Sequence, residues 1–186
     1  MNIEKYSERV RGFIQSAQTM ALSRNHQQFT PEHLLKVLTD DEEGFAASLI
    51  DRAGGRSKDA RLGVEVALEA LPRVEGGNGQ LYLAQPLAKV FSTAEELATK
   101  AGDSFVTVER LLTAMAVEKS SKTAEILAKA GVTPTALNRV IEDVRKGRTA
   151  DSASAEQNYD ALKKYARDLT ADARSGKLDP VIGRDD

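Results

Sequence analysis

The sequence predicts an all-α fold of two pseudo-symmetric four-helix repeats, eight helices in total. The chain repeats itself at an offset of 77 residues, apolar side chains in both copies recur at helical steps, and strand signals are absent.

The duplication runs without a gap through most of the first 148 positions. Thr30-Pro31-Glu32-His33-Leu34-Leu35 falls on Thr107-Val108-Glu109-Arg110-Leu111-Leu112, and Leu49-Ile50-Asp51-Arg52-Ala53-Gly54 falls on Ile126-Leu127-Ala128-Lys129-Ala130-Gly131. Matched positions have physical roles. Thr30 and Thr107 stand as N-caps, with hydroxyls expected to accept from first-turn amides, and Pro31 suits the first helical position. Glu32 and Glu109 complement the positive helix end. Gly54 and Gly131 stand where a helix must stop.

Period and punctuation predict helices over residues 3–24, 31–40, 45–53 and 58–71, then 86–101, 108–119, 122–130 and 134–146. In the first, Tyr6, Val10, Phe13, Ile14, Ala17 and Ala21 share a face; in the fifth, Leu87, Val90, Phe91, Ala94, Leu97 and Ala98 do the same. Residues 1–71 and 86–146 thus form the repeats, joined by a loop, 72–85, whose Pro72 and Gly76-Gly77-Asn78-Gly79 disfavour helix. Residues 147–157, small and polar with no apolar face to bury, read as a flexible linker. Residues 158–186 begin something else: Tyr159, Leu162, Tyr165, Leu169 and Ala173 lie on one side of an amphipathic stretch, followed by a tail with no counterpart at the offset.

Composition narrows the function. Hydrophobic residues at 41% and charged residues at 29% suit a folded globular chain. With 26 basic against 28 acidic side chains there is no positive surplus for a phosphate backbone, so nucleic acid is not expected as the principal ligand. The N-terminus carries Glu4, Lys5, Glu8 and Arg9 rather than a signal peptide's apolar run, and no long apolar span follows; neither export nor a membrane is expected. The absence of cysteine removes disulfides and thiolate metal sites and fits a reducing cytosol. His26 and His33 read as surface or capping histidines rather than metal ligands, because Phe29-Thr30-Pro31 breaks any shared helix. Asp40-Asp41-Glu42-Glu43 lacks the alternating spacing of a calcium loop. No GxxxxGK[ST] phosphate loop occurs, and no Ser, His or Asp lies in a motif that would activate a nucleophile, so no catalytic residue, metal or cofactor is expected for this fragment.

One resemblance is specific. Asp168-Leu169-Thr170 and Gly176-Lys177-Leu178-Asp179-Pro180-Val181-Ile182-Gly183-Arg184-Asp185 resemble the opening of the first AAA+ module of ClpB-type unfoldases, and the duplicated part resembles the Clp N-domain. The resemblance implies a full-length protein that is a cytoplasmic, ATP- and Mg-dependent homo-hexamer threading unfolded or aggregated polypeptide together with a DnaK-type chaperone. The fragment itself is expected to be a non-enzymatic, monomeric, substrate-recruiting domain. Val181, Ile182 and Gly183 would border the adenine in the full-length protein only. The first helices, with Val10 and Phe13 on one and Leu87, Phe91 and Ala94 on the other, are expected either to leave an apolar groove between the repeats or to be core. The resemblance adds Ser7, Asp103 and Glu109 as polar substrate-binding candidates. This chain has Ser7 where threonine is frequent and Arg110 where an apolar residue often lies, which makes such a groove less apolar. Two alternatives stand beside this reading: an adaptor-docking domain of a protease-coupled Clp ATPase, and a freestanding helical enzyme.

Overall fold

The structure is a computed structural model, and it describes residues 2–76 and 79–155. A 3-10 turn, Ile3–Lys5, leads into α1 (Glu8–Ser23), β1 (Gln28–Phe29), α2 (Pro31–Asp40), α3 (Phe45–Arg52) and α4 (Ser57–Glu69). The second copy follows as β2 (Tyr82–Leu83), α5 (Gln85–Lys100), α6 (Val108–Val117), α7 (Lys122–Lys129) and α8 (Pro134–Arg145). Shifted by 77 residues, the first three helices superpose in sequence on α5, α6 and α7 without a residue's difference, and α4 matches α8 except at its last residue.

Local chemistry explains these bounds. The first helix starts at Glu8 rather than residue 3, because Ser7 is its N-cap and accepts the Val10 N–H at 3.2 Å. Thr133 caps α8 in the same way, accepting the Ala136 N–H at 3.2 Å. Thr107 occupies the cap position of α6, but its hydroxyl accepts from Arg145 instead of a first-turn amide, which corrects the expectation drawn from its spacing. Gly54 and Gly131 end α3 and α7 at φ 92° and 94°, a conformation glycine enters without a Cβ clash. The turns they make pack against each other: Arg56 N–H donates to Ala130 O at 2.8 Å, and a Cβ on Gly55 would stand 2.6 Å from Val132 Cγ2.

The stripes read from sequence point inward. Val10, Ile14, Ala17 and Ala21 of α1 and Leu87, Val90, Phe91, Ala94 and Ala98 of α5 are buried, and one core runs through both repeats. Each fully buried large aliphatic side chain contributes roughly 1.5–3 kcal/mol, so a single shared core is what holds the two copies together.

Two features differ from the sequence reading. First, strands exist, though tiny: β1 and β2 pair in parallel with Phe29 opposite Leu83, and an isolated parallel bridge joins Tyr6 to Val106. The 77-residue offset converts one pair into the other, so each repeat hands a strand to its twin. Tyr82 and Ala84 N–H donate to Gln27 and Phe29 O; Val106 and Ser7 N–H donate to Lys5 and Val106 O. Two residues are too few to show a period of two, which is why the pattern carried no strand signal. Second, residues 147–155, expected to be a linker with nothing to bury, run back over the second repeat to the start of α1: Ala150 is fully buried, Ser104 N–H donates to its carbonyl, and Glu8 N–H donates to Ala153 O at 2.9 Å.

Candidate functional site

The polar candidates converge at the start of α6, while most apolar ones do not reach the surface. Val10, Leu87, Phe91 and Ala94 lie in the core, which is the second of the two placements open to them. Phe13 is half-buried against that core. Ser7 is not a surface hydroxyl: it is fully buried, with its N–H on Val106 O and its Oγ capping α1.

Asp103, Glu109 and Arg110 meet a partner that sequence reasoning missed, Arg145 at the end of α8. Arg145 donates through Nη1 and Nη2 to the two Asp103 oxygens at 2.8 and 2.9 Å, through Nε to Glu109 Oε2 at 2.6 Å, and through Nη2 to Thr107 Oγ1 at 3.0 Å. Arg110 Nε adds a 2.9 Å contact to Asp103 Oδ2, and Ala150 N–H donates to Oδ1 at 3.0 Å. Two arginines balance two acids, as burial requires. Burial pushes the Asp103 carboxyl up, but hydrogen bonds from Arg145, the Ala150 N–H and Arg110 outweigh it and hold the group below its ordinary range. Glu109 Oε1 is buried without a hydrogen-bond partner among the described residues. Asp103 therefore organises the polar cluster and also ties down the strap after α8. The signal for Arg145 was available: its counterpart at the offset, Leu68, is a buried leucine, so an arginine breaks an apolar stripe there.

The equivalent position in the first repeat carries different chemistry. His26 and His33 are the counterparts of Asp103 and Arg110, and their rings meet at 2.8 Å, Nδ1 to Nε2. Both are buried, so the surface placement is corrected; the capping role is present, since Thr30 N–H donates to His33 Nδ1 at 3.0 Å.

The surface shows where contact with another molecule is possible. At the end where α1 runs into β1 and β2 runs into α5, Leu22, Tyr82 and Leu83 are 42%, 51% and 50% exposed. The twin of Leu83 is Tyr6, which is completely covered: its ring packs edge-on against Phe91 at 5.6 Å and its hydroxyl donates to Glu95 Oε2 at 2.5 Å. The two ends are thus alike in backbone and opposite in exposure. On the second repeat, a hollow of about 400 Å³ lies beside Lys5, Glu95, Asp103 and Phe105, and another of about 530 Å³ between α5, α6 and α8 is lined by Leu97, Arg110, Thr113 and Glu142. Leu62 and Val66, one turn apart on α4, add a second exposed apolar pair.

Comparison with known proteins decides the family. Residues 5–130 match the family described as Clp repeat (R) N-terminal domain. The chain belongs to this family. The chain aligns along its entire length with Chaperone protein ClpB of Mesorhizobium japonicum at 86% identity, of Brucella suis at 80% and of Rickettsia bellii at 42%. It spans about a fifth of the length of these curated relatives, 21%, 21% and 22%. Among solved structures it resembles the Hsp104 N-terminal domain from Candida albicans, with TM-score 0.72, 20% identity and coverage of 82% of this chain and 99% of that one. It also resembles the N-terminal domain of the ClpV1 ATPase from E. coli, with TM-score 0.63, 20% identity and coverage of 74% and 84%. These structural likenesses speak for the fold of the Clp N-domain. Val181, Ile182 and Gly183 lie outside the described residues, and among the described residues no group of three or more His, Cys, Asp or Glu could hold a metal ion. No helix of the described residues is long and apolar enough to cross a membrane.

Proposed function

We propose that the chain is the polypeptide-recruiting N-terminal domain of a ClpB-type chaperone. It captures unfolded or aggregated segments and passes them to a cytoplasmic, ATP- and Mg-dependent homo-hexameric ring that works with a DnaK-type chaperone. The chemistry of ATP belongs to that ring, and the domain itself catalyses nothing. Residues 1–71 and 86–146 are its repeats with 72–85 between them, 147–157 lead out of it, and 158–186 open the ATPase module.

The observation that carries the reading is the agreement, 86% identical along all 186 residues, with a protein named as a ClpB chaperone. The unequal ends of the two repeats support it physically. Misfolded chains display apolar side chains, and Leu22 near the end of α1 and Tyr82 and Leu83 of β2 offer exposed apolar side chains of matching character. Phe13 and Arg110 are the accessible members of the candidate set. The buried members, Val10, Leu87, Phe91, Ala94, Ser7, Asp103 and Glu109, act by fixing the frame on which that surface stands. The ClpB-named relatives favour this reading over adaptor docking in a protease-coupled ATPase.

A direct test replaces Tyr82 and Leu83 with serine. Both side chains are half exposed, so stability should change by less than about 1 kcal/mol, while affinity for a fluorescently labelled, permanently unfolded protein should fall roughly tenfold or more. Unchanged affinity in a folded double variant would rule out this surface.

A further inference from the structure

The chain has two histidines, and the fold brings them together. His33 Nδ1 accepts the Thr30 N–H at 3.0 Å, with the Thr30 hydroxyl equally close, so the ring proton of His33 sits on Nε2 and is donated to His26 Nδ1 at 2.8 Å. His26 then carries its own proton on Nε2, which is buried and meets no acceptor among the described residues. Each ring has one lone pair, and each is in use.

A further proton has no unoccupied place to go. On His33 it must enter at Nδ1 and oppose the Thr30 N–H; on His26 it must enter at Nδ1 and oppose the His33 Nε2–H. Either event breaks a hydrogen bond and creates a buried cation, which is costly unless an acid lies opposite. The charged groups facing the pair are Arg24, just beyond α1, and Arg73, in the connection after α4, and both are positive. Arg24 is itself engaged by Glu65 of α4, and Glu32 on the first turn of α2 couples to Thr30 and to Lys122 of α7. The second repeat has Asp103 and Arg110 at the same positions, an ion pair that keeps its charges.

We propose that the His26–His33 pair is a proton-sensitive latch: protonation opens the N-terminus of α2 and the β1–β2 pairing, while the twin junction at Tyr6–Val106 stays closed. Phe29 of β1 lies between the two rings in sequence, and β1 pairs with the strand that leads into α5, so release of the rings is transmitted to the exposed apolar end of the domain. The direction of the shifts agrees. Burial, above all, holds both imidazoles below the ordinary 6.5, His33 down to about 4; repulsion from Arg24 and Arg73 adds to it at His26, and repulsion from His26 and Arg24 at His33. Above pH 6.5 both rings are neutral whether folded or not. As pH falls below 6.5 the unfolded chain takes up protons that the folded one refuses, so stability at this junction is lost progressively between about 6.5 and about 4.

The test is NMR of the chain from pH 8 to pH 4, following both imidazoles and the protection of assigned amides against exchange. Both rings should titrate below 6.5, and protection factors at Tyr82 and Ala84, whose N–H groups bridge the strands, should fall roughly tenfold or more between pH 7 and pH 5. Protection at Ser7 and Val106 should hold over that interval. His33→Gln, whose amide can accept from Thr30 and donate to His26 at every pH, should reduce the loss at Tyr82 and Ala84. Rings that titrate near 6.5 in a folded chain, or Tyr82 and Ala84 amides indifferent to ring protonation, would overturn the proposal, and the wild-type titration by itself distinguishes these outcomes if the variant does not fold.

Discussion

A single side chain, Arg145, decides whether the second repeat can bury two acids. It serves Asp103 with two nitrogens, Glu109 with a third contact and Thr107 with a fourth, a fork that lysine cannot reproduce. Arg145→Leu, which copies Leu68 of the first repeat, should therefore not be neutral: it leaves the buried Glu109 carboxylate without its arginine and Asp103 with only Arg110 and the Ala150 N–H, and should cost roughly 3–5 kcal/mol, on the order of 10 °C in Tm by calorimetry. Arg145→Lys should recover only part of the loss. At this scale the sequence was least legible. Asp103 and Glu109 were named through a resemblance, but their role as buried ion-pair members depends on a residue 36 positions beyond Glu109; the broken stripe at Arg145 marks that residue as unusual without saying which acids it meets. The same holds for Ser7, whose burial follows from Val106 docking across it.

Among elements, the reading succeeded where caps, glycines and stripes act within one helix, and it failed where one repeat completes the other. Helices α2, α3, α6 and α7 stand within two residues of the expected bounds: Thr30-Pro31 and Thr107 mark the starts of α2 and α6, Gly44 and Ser121 those of α3 and α7, and Gly54 and Gly131 follow the ends of α3 and α7. The two parallel strand pairs and the strap at 147–155 escaped, since each is made by tertiary contact between segments far apart in sequence. The crossing of the α3 and α7 turns is the sharpest packing constraint between the copies. Gly55→Ala would set a methyl 2.6 Å from Val132 Cγ2, 3.0 Å from Ala130 O and 3.2 Å from Ile50 Cγ2, so it should destabilise by about 1–3 kcal/mol in urea denaturation. Gly63, whose added Cβ would meet only Ile126 Cγ2 at 3.2 Å and Cγ1 at 4.0 Å, should tolerate alanine better.

On the scale of the whole molecule, duplication has built two near-identical frames and then let their ends diverge. The second repeat closes its end with Tyr6 on Phe91 and Glu95 and with the Asp103–Arg145 cluster. The first leaves Leu22, Tyr82 and Leu83 exposed beside a neutral histidine pair. With a formal net charge of only −2, long-range charge offers little to steer a partner, which leaves apolar contact as the principal attraction for unfolded chains. The most direct measurement is a titration of the isotopically labelled chain with a permanently unfolded polypeptide, recording amide shifts residue by residue. Saturable shifts should centre on Leu22, Tyr82 and Leu83 and extend to Phe13, leaving Tyr6 and the α8 end unmoved; shifts confined to Tyr6, Val106 and α6 to α8, or none at all, would contradict polypeptide capture at the open end.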